Sequence, residues 1–240
     1  CLQGHSSGMH NSIGVDFDAE EFVTESIGGR DFANWCIKNG YAALCIEQMS
    51  LGERNEKRLE RTSPHPCHDA AMHALILGKT LMAERMRDVQ IGLEFLRQSE
   101  PSGLATVGIM GNSLGGSVGV YCGALLGSQL DFVIAGSCVS SIDQSLLRIY
   151  HCADLYVPSL RKYFEFGDIL GMIAPKPLLI VQGRDDPIFP VSGCEDAVSH
   201  ARHIYSSLKA ADRLQMLLGE GGHQFYPELA TKGLHDLGLS

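Results

Sequence analysis

The chain has 240 residues, 45% hydrophobic and 20% charged, enough apolar material to bury one large core as a single domain over 1–240. Its formal net charge of −9 leaves no basic stripe to neutralise phosphates or to settle on an anionic bilayer, so neither nucleic acid nor a membrane is expected as a partner. No apolar run approaches the roughly 18 residues that span a bilayer, and residues 1–15 lack the charged and apolar regions of a signal peptide.

The chain opens with "CLQ" before Gly4, about half of a usual strand, so upstream sequence is expected. A helix over "FANWCIKNG" (32–40) stops at Gly40, and "YAALCIE" (41–47) follows as a strand. A polar segment (50–68) containing "PHPCH" leads into a long helical pattern from about Asp69 to Gln98, with Leu75, Leu81, Val89, Leu93 and Leu96 as its apolar positions. Further strands are predicted at "ATVGIM" (105–110), "FVIAGS" (132–137), "PLLIVQG" (177–183) and "LQMLLG" (214–219), with helices over about 114–126 and 193–209 and at the closing "PELATKGLHDLG". Strands this short and almost wholly apolar are buried on both faces, which predicts an α/β fold with a mostly parallel central sheet and helices on both sides. Insertions at about 50–75 and 139–176 are expected to shape a pocket at the strand ends.

The eight cysteines form no C-x-x-C pair, and Cys45, Cys122 and Cys138 lie within apolar runs. They read as reduced thiols, which favours the cytoplasm.

Two segments match G-x-S-x-G, "GHSSG" around Ser6 and "GNSLG" around Ser113. Ser113 stands between a buried strand and the helical "LGGSVGVYCGALLG", the strand, turn and helix of a nucleophile elbow. Glycines inside that helix each cost roughly 0.5–1 kcal/mol relative to alanine. Gly115, Gly119 and Gly123, spaced by four, would offset this by letting the helix backbone approach the sheet. Ser6 has no following helix and reads as a loop. A glycine-rich loop after an early strand suits the second donor of an oxyanion hole, so the amides of His5 and Leu114 are the expected pair.

A serine hydroxyl needs a base, and the base needs an acid to orient it. Of ten histidines, His223 lies directly after the last predicted strand, in "GEGGHQF". "QGRDDPIFP" offers Asp185 and Asp186; Pro187 fixes the backbone after Asp186 and favours it. The order Ser113, Asp186, His223 places each residue after a successive strand.

With these motifs together, the chain resembles the α/β-hydrolases, in particular their dienelactone hydrolase and acetylxylan esterase-like branch. "CLQGHSSG" is similar to that branch's oxyanion strand and loop, "GYAALCIEQMSLGER" to its next strand and turn, "GNSLGG" to its elbow, "IAPKPLLIVQGRDDPIFP" to its acid turn and "GGHQF" to its histidine loop. The family's aspartate four residues before a proline maps onto Asp186 and Pro190. The resemblance implies two more N-terminal strands than this chain carries, and it implies hydrolysis of a small-molecule carboxylic ester, with a small acyl group such as acetyl, through an acyl-enzyme. Met49 stands where relatives often place arginine.

Alternatives remain at this level: an amidase or peptidase of the prolyl-oligopeptidase type, or a non-catalytic hydrolase-fold binding protein. A zinc site built from His65, Cys67, His68, Asp69 and His73 matches no closed spacing, so no metal or organic cofactor is expected. Oligomeric state is open, a homodimer included.

Overall fold

The computed structural model describes residues 1–5, 7–16, 21–22, 29–55, 66–100, 103 and 106–239. Near the N-terminus β1 (Val15–Asp16) pairs antiparallel with β2 (Glu21–Phe22). There follow α1 (Phe32–Lys38), α2 (Pro66–Ile76), α3 (Leu81–Ser99), β3 (Gly108–Asn112), α4 (Leu114–Leu125) and β4 (Phe132–Gly136). The chain ends with α5 (Leu160–Tyr163), α6 (Phe166–Gly171), β5 (Leu178–Gly183), α7 (Val191–Ser207), β6 (Leu214–Gly219) and α8 (Pro227–Asp236). Strands β3-β4-β5-β6 form one sheet in that order, every neighbouring pair parallel. Leu2 extends it by isolated parallel bridges to Gly111 on one side and Ile46 on the other. Among the described residues no helix is long and apolar enough to cross a membrane.

Strand periodicity divides the core in two. Ile109, Val133, Ala135, Leu178 and Ile180 point to the face covered by α3, α4, α6 and α7. Met110, Phe132, Ile134, Leu179 and Val181 point to the other face, where Phe32 and Trp35 of α1 and Ala230 and Leu234 of α8 cover them. With both faces dry, no residue of β4 or β5 is exposed, which is why those strands read as continuous apolar runs.

The structure departs from the sequence reading in four places. Residues 41–45 pair with no strand, and only Ile46 bridges, to Leu2. Leu2 bridges both Ile46 and Gly111, and an apolar cavity of about 360 Å³ lies beside it, between Ala43, Ile46, Gly92 and Met110. Strand β3 runs over 108–112 rather than 105–110, because Asp131 clamps Val107 through its backbone amide (2.7 Å) and its carboxylate (2.7 Å) and pairing with β4 begins only at Gly108; residue 105 lies outside the described residues. The expected long helix is two, α2 and α3, separated by Gly78 at φ 70° and restarted by Thr80, whose hydroxyl accepts from the Ala83 amide at 3.1 Å.

The fourth concerns the helix glycines. A Cβ on Gly115 would lie 2.2 Å from the Leu2 carbonyl oxygen, and one on Gly123 2.5 Å from Val133. On Gly119, by contrast, it would meet only Ile109 at 3.8 Å, an ordinary contact. Close approach is required instead at Gly116, where a Cβ would lie 2.6 Å from the Cys138 sulfur. Gly115→Ala is therefore expected to destabilise the fold by about 1–3 kcal/mol through overpacking against backbone. Gly127→Ala, with nothing within 4 Å of the added carbon, should change stability by less than about 0.5 kcal/mol. Urea denaturation of the two variants checks this, and equal effects would contradict the packing account.

Candidate active site

The parallel register brings the ends of β3, β5 and β6 to one edge of the sheet. Ser113 sits in the bend between β3 and α4 at φ 56°, ψ −125°, a conformation that side chains rarely adopt. The bend is tight enough that a Cβ on Gly111 would lie 2.3 Å from the Gly115 carbonyl carbon, so glycine is needed on both sides of the serine. The Ser113 amide donates to the Gly136 carbonyl (2.8 Å), and its own carbonyl accepts from the Ser117 amide (2.9 Å). These bonds hold the strained residue with its hydroxyl facing the loop after β6.

In that loop, His223 lies with Nε2 2.9 Å from Ser113 Oγ and Nδ1 2.8 Å from Asp186 Oδ2. The three side chains named from the sequence thus form one continuous hydrogen-bonded chain. Asp186 is buried and its carboxylate is saturated: Oδ1 accepts from the amides of Ile188 (2.9 Å) and Phe189 (3.0 Å), and Oδ2 also accepts from Gln182 Nε2 (3.1 Å). Asp185 is exposed, as expected of its solvated neighbour. Phe189 stacks on the His223 ring at 5.8 Å between centroids.

Three positioning groups have no sequence signature. Ser137, at φ 42°, donates from its hydroxyl to the Gln224 carbonyl (2.6 Å) and so ties the end of β4 to the histidine loop. Gln182 joins Asp186 to the Phe189 carbonyl, which its amide nitrogen also reaches at 2.7 Å. His151, buried beside Phe189, meets Ser145 Oγ at 2.8 Å, and burial pushes its pKa down.

The early glycine loop passes alongside the serine: a Cβ on Gly4 would lie 3.2 Å from Ser113 Cβ and 3.8 Å from its Oγ. His5 is the next residue, while Ser6 lies outside the described residues. Leu114, as the first residue of α4, has an amide with no helical carbonyl to receive it. The His5 side chain turns away to Asp154, its Nε2 lying 2.9 Å and 3.1 Å from the two carboxylate oxygens. Burial opposes the His5 charge, but Asp154 and Cys152 outweigh it and raise its pKa to about 9. Burial likewise opposes the Asp154 charge, and His5 and Arg85 hold its pKa down at about 2.

The cysteine and histidine cluster of the 50–75 insertion does not assemble as one group. His65 lies outside the described residues, and His68 and His73 are exposed. Cys67 is buried and faces elsewhere, toward Cys152.

No family model matches the sequence. The chain is 26% identical over 230 residues to the Bacillus subtilis (strain 168) protein named "Putative hydrolase YtaP", covering 90% of this chain and 71% of that one. In structure it is similar to the Bacteroides fragilis protein named a "putative acetyl xylan esterase", with a TM-score of 0.76 at 16% identity, over 99% of this chain and 70% of that one. It is also similar to a glucuronoyl esterase from Caldicellulosiruptor kristjansonii (TM-score 0.65, 15% identity, 93% of this chain and 64% of that one). A third likeness is to the Pyrococcus furiosus esterase Pf2001 (TM-score 0.61, 15% identity, 98% of this chain and 80% of that one). A parallel sheet clad on both faces, with a serine bend, an acid turn and a histidine loop at one edge, gives this chain the α/β-hydrolase fold that it shares with these esterases.

Proposed function

We propose that this chain is a serine hydrolase that cleaves carboxylic esters through an acyl-enzyme intermediate. The observation that carries the proposal is the continuous chain from Ser113 Oγ through the His223 ring to the buried Asp186 carboxylate, at 2.9 Å and 2.8 Å. Ser113 attacks the ester carbonyl while His223 takes its proton, and Asp186 steadies the imidazolium that forms. His223 returns the proton to the leaving alcohol, and water then repeats the sequence to release the acid. The amides of His5 and Leu114 receive the oxyanion, each donor supplying roughly 2.7–4 kcal/mol of transition-state stabilisation. No organic cofactor takes part in these steps.

Esters are favoured over amides because the structural neighbours above are named as esterases. Acetyl is proposed as the acyl group because one of those neighbours is named as an acetyl xylan esterase.

Ser113→Ala is expected to lower kcat by about 10⁶-fold and to abolish labelling by a fluorophosphonate probe, and His223→Ala to cost a similar factor. Labelling of Ser113→Ala as strong as that of the wild type would overturn the assignment. Asp186→Asn should retain the fold and lose about 10⁴-fold in kcat, because the histidine tautomer is then wrong. A panel of aryl esters from acetyl to octanoyl should show the highest kcat/KM at acetyl.

A further inference from the structure

A second group of chemically capable side chains lies behind the His5 loop, apart from the serine, histidine and aspartate described above. His5, Cys67, Cys152 and Asp154 come from three distant parts of the chain, and one ligand atom from each lies within 4.8 Å of all the others. We propose that these four residues form a structural zinc site, with His5 Nε2, the two cysteine sulfurs and one Asp154 oxygen as a tetrahedral ligand set.

The chemistry of the donors favours zinc. Two thiolates with an imidazole suit a borderline-soft ion, whereas magnesium and calcium take oxygen ligands. Bonds of about 2.0–2.1 Å to nitrogen and oxygen and about 2.3 Å to sulfur give tetrahedral edges of roughly 3.3–3.8 Å. His5 Nε2 and the Asp154 oxygens, at 2.9 Å and 3.1 Å, already stand near such an edge. From the limiting separation of 4.8 Å, the edges that include a sulfur would close by no more than about 1.3 Å. Four protein ligands leave no open position, so the ion would be structural rather than catalytic.

The surroundings match a bound cation of charge two. Arg85, with no exposed surface, donates from Nη1 to Asp154 Oδ2 and from Nε to the Met49 carbonyl (3.0 Å). That fixes the carboxylate and leaves Oδ1 to the metal, the arrangement in which an outer partner orients a ligand. Arg85 Nη2 is buried without a hydrogen-bond partner among the described residues, and a metal-bound thiolate would give it an acceptor. Two thiolates and a carboxylate, set against one guanidinium and one divalent ion, leave the buried cluster neutral.

Zinc there would cross-link the first turn of α2, which carries Cys67, the 139–176 excursion, which carries Cys152 and Asp154, and the loop after Leu2. It would hold His5 at a fixed distance from Ser113, whether or not the His5 amide receives an oxyanion.

The test uses the full chain, purified under reducing conditions and dialysed against metal-free buffer after loading with Zn²⁺ alone or Co²⁺ alone. The expected result is one zinc per chain by elemental analysis. The cobalt form should show a thiolate-to-metal charge-transfer band and the intense visible bands of a tetrahedral site. Cys152→Ser and Cys67→Ser should each weaken zinc binding by at least ~100-fold, while Cys45→Ser, outside the cluster, should leave it unchanged. Substoichiometric zinc in the wild type, weak octahedral cobalt bands, or equal affinities in all three variants would overturn the site. So would a Cys67–Cys152 disulfide, seen by mass as the loss of two hydrogens from the reduced wild type. The wild-type spectra and metal content decide the question even if a cysteine variant fails to fold, and none of these readouts depends on esterase activity.

Discussion

The contact on which the site depends is the crossing of two backbones at the bend after β3. Gly111 and Gly115 lie so close that a single methyl on either would overlap the other strand of chain or the Leu2 carbonyl. That closeness forces the intervening Ser113 into its positive φ, at a cost on the order of 1–3 kcal/mol. Such strain persists only where the surroundings over-determine it. Here Asn112 pairs with Gly136, the Ser113 amide bonds to the Gly136 carbonyl at 2.8 Å, and the first two turns of α4 are wholly buried. Leu2, wedged against Gly115 and bridged to Gly111, makes the early loop part of the same packing unit.

From that crossing, the other two groups are located by the register of the sheet. β4, β5 and β6 pair parallel through Gly136, Val181, Gly183 and Gly219, so the acid turn and the histidine loop leave the same edge of the sheet. Neither loop is held by regular structure. Ser137 and Tyr226 bind carbonyls of the histidine loop, at Gln224 (2.6 Å) and Gly222 (2.8 Å), while Gln182 and two amides clamp Asp186. A side chain that must meet a partner within about 3 Å needs this kind of support, because a displacement of about 1 Å costs on the order of 10²-fold in rate.

What the sequence made legible follows from how local each signal is. The bounds of β6 at Leu214 and Gly219 are legible because a mostly apolar run between turn residues needs no distant information. Ser113, Asp186 and His223 were legible because each occupies a short motif with glycine or proline beside it. The break between α2 and α3 was also written locally, in Gly78 and Thr80, but the apolar period continuing across it concealed the cap. The 41–47 run carries the composition of a strand, yet pairing is a property of neighbours, and only Ile46 has one. Gly119 and Gly116 show the same limit: spacing by four identified a face of the helix, but which glycine on it touches the sheet depends on the approach of Cys138 and the strand ends. The pairing of His5 with Asp154 spans 149 positions, and no pattern in either segment announces it.

That last pairing bears on why the buried charges behind the loop exist at all. Arg85 and Asp154 are without exposed side-chain surface, and burying such a pair costs several kcal/mol per ion in desolvation before their attraction offsets it. Apolar side chains of the same volume would serve stability as well or better. What apolar contacts lack is direction. The Asp154 carboxylate meets the His5 ring at two oxygens, Gln48 Nε2 holds the Gln3 carbonyl at 2.7 Å, and Gln3 Nε2 reaches Ser12 Oγ at 2.7 Å and the Arg30 carbonyl at 2.8 Å. A glycine-flanked segment restrained by so many directional bonds keeps one orientation of its amides. Donors that stabilise developing negative charge are effective only when they need not reorganise as the charge appears. The polar groups under residues 3–5 are therefore understood as the means by which a flexible sequence is held rigid beside Ser113.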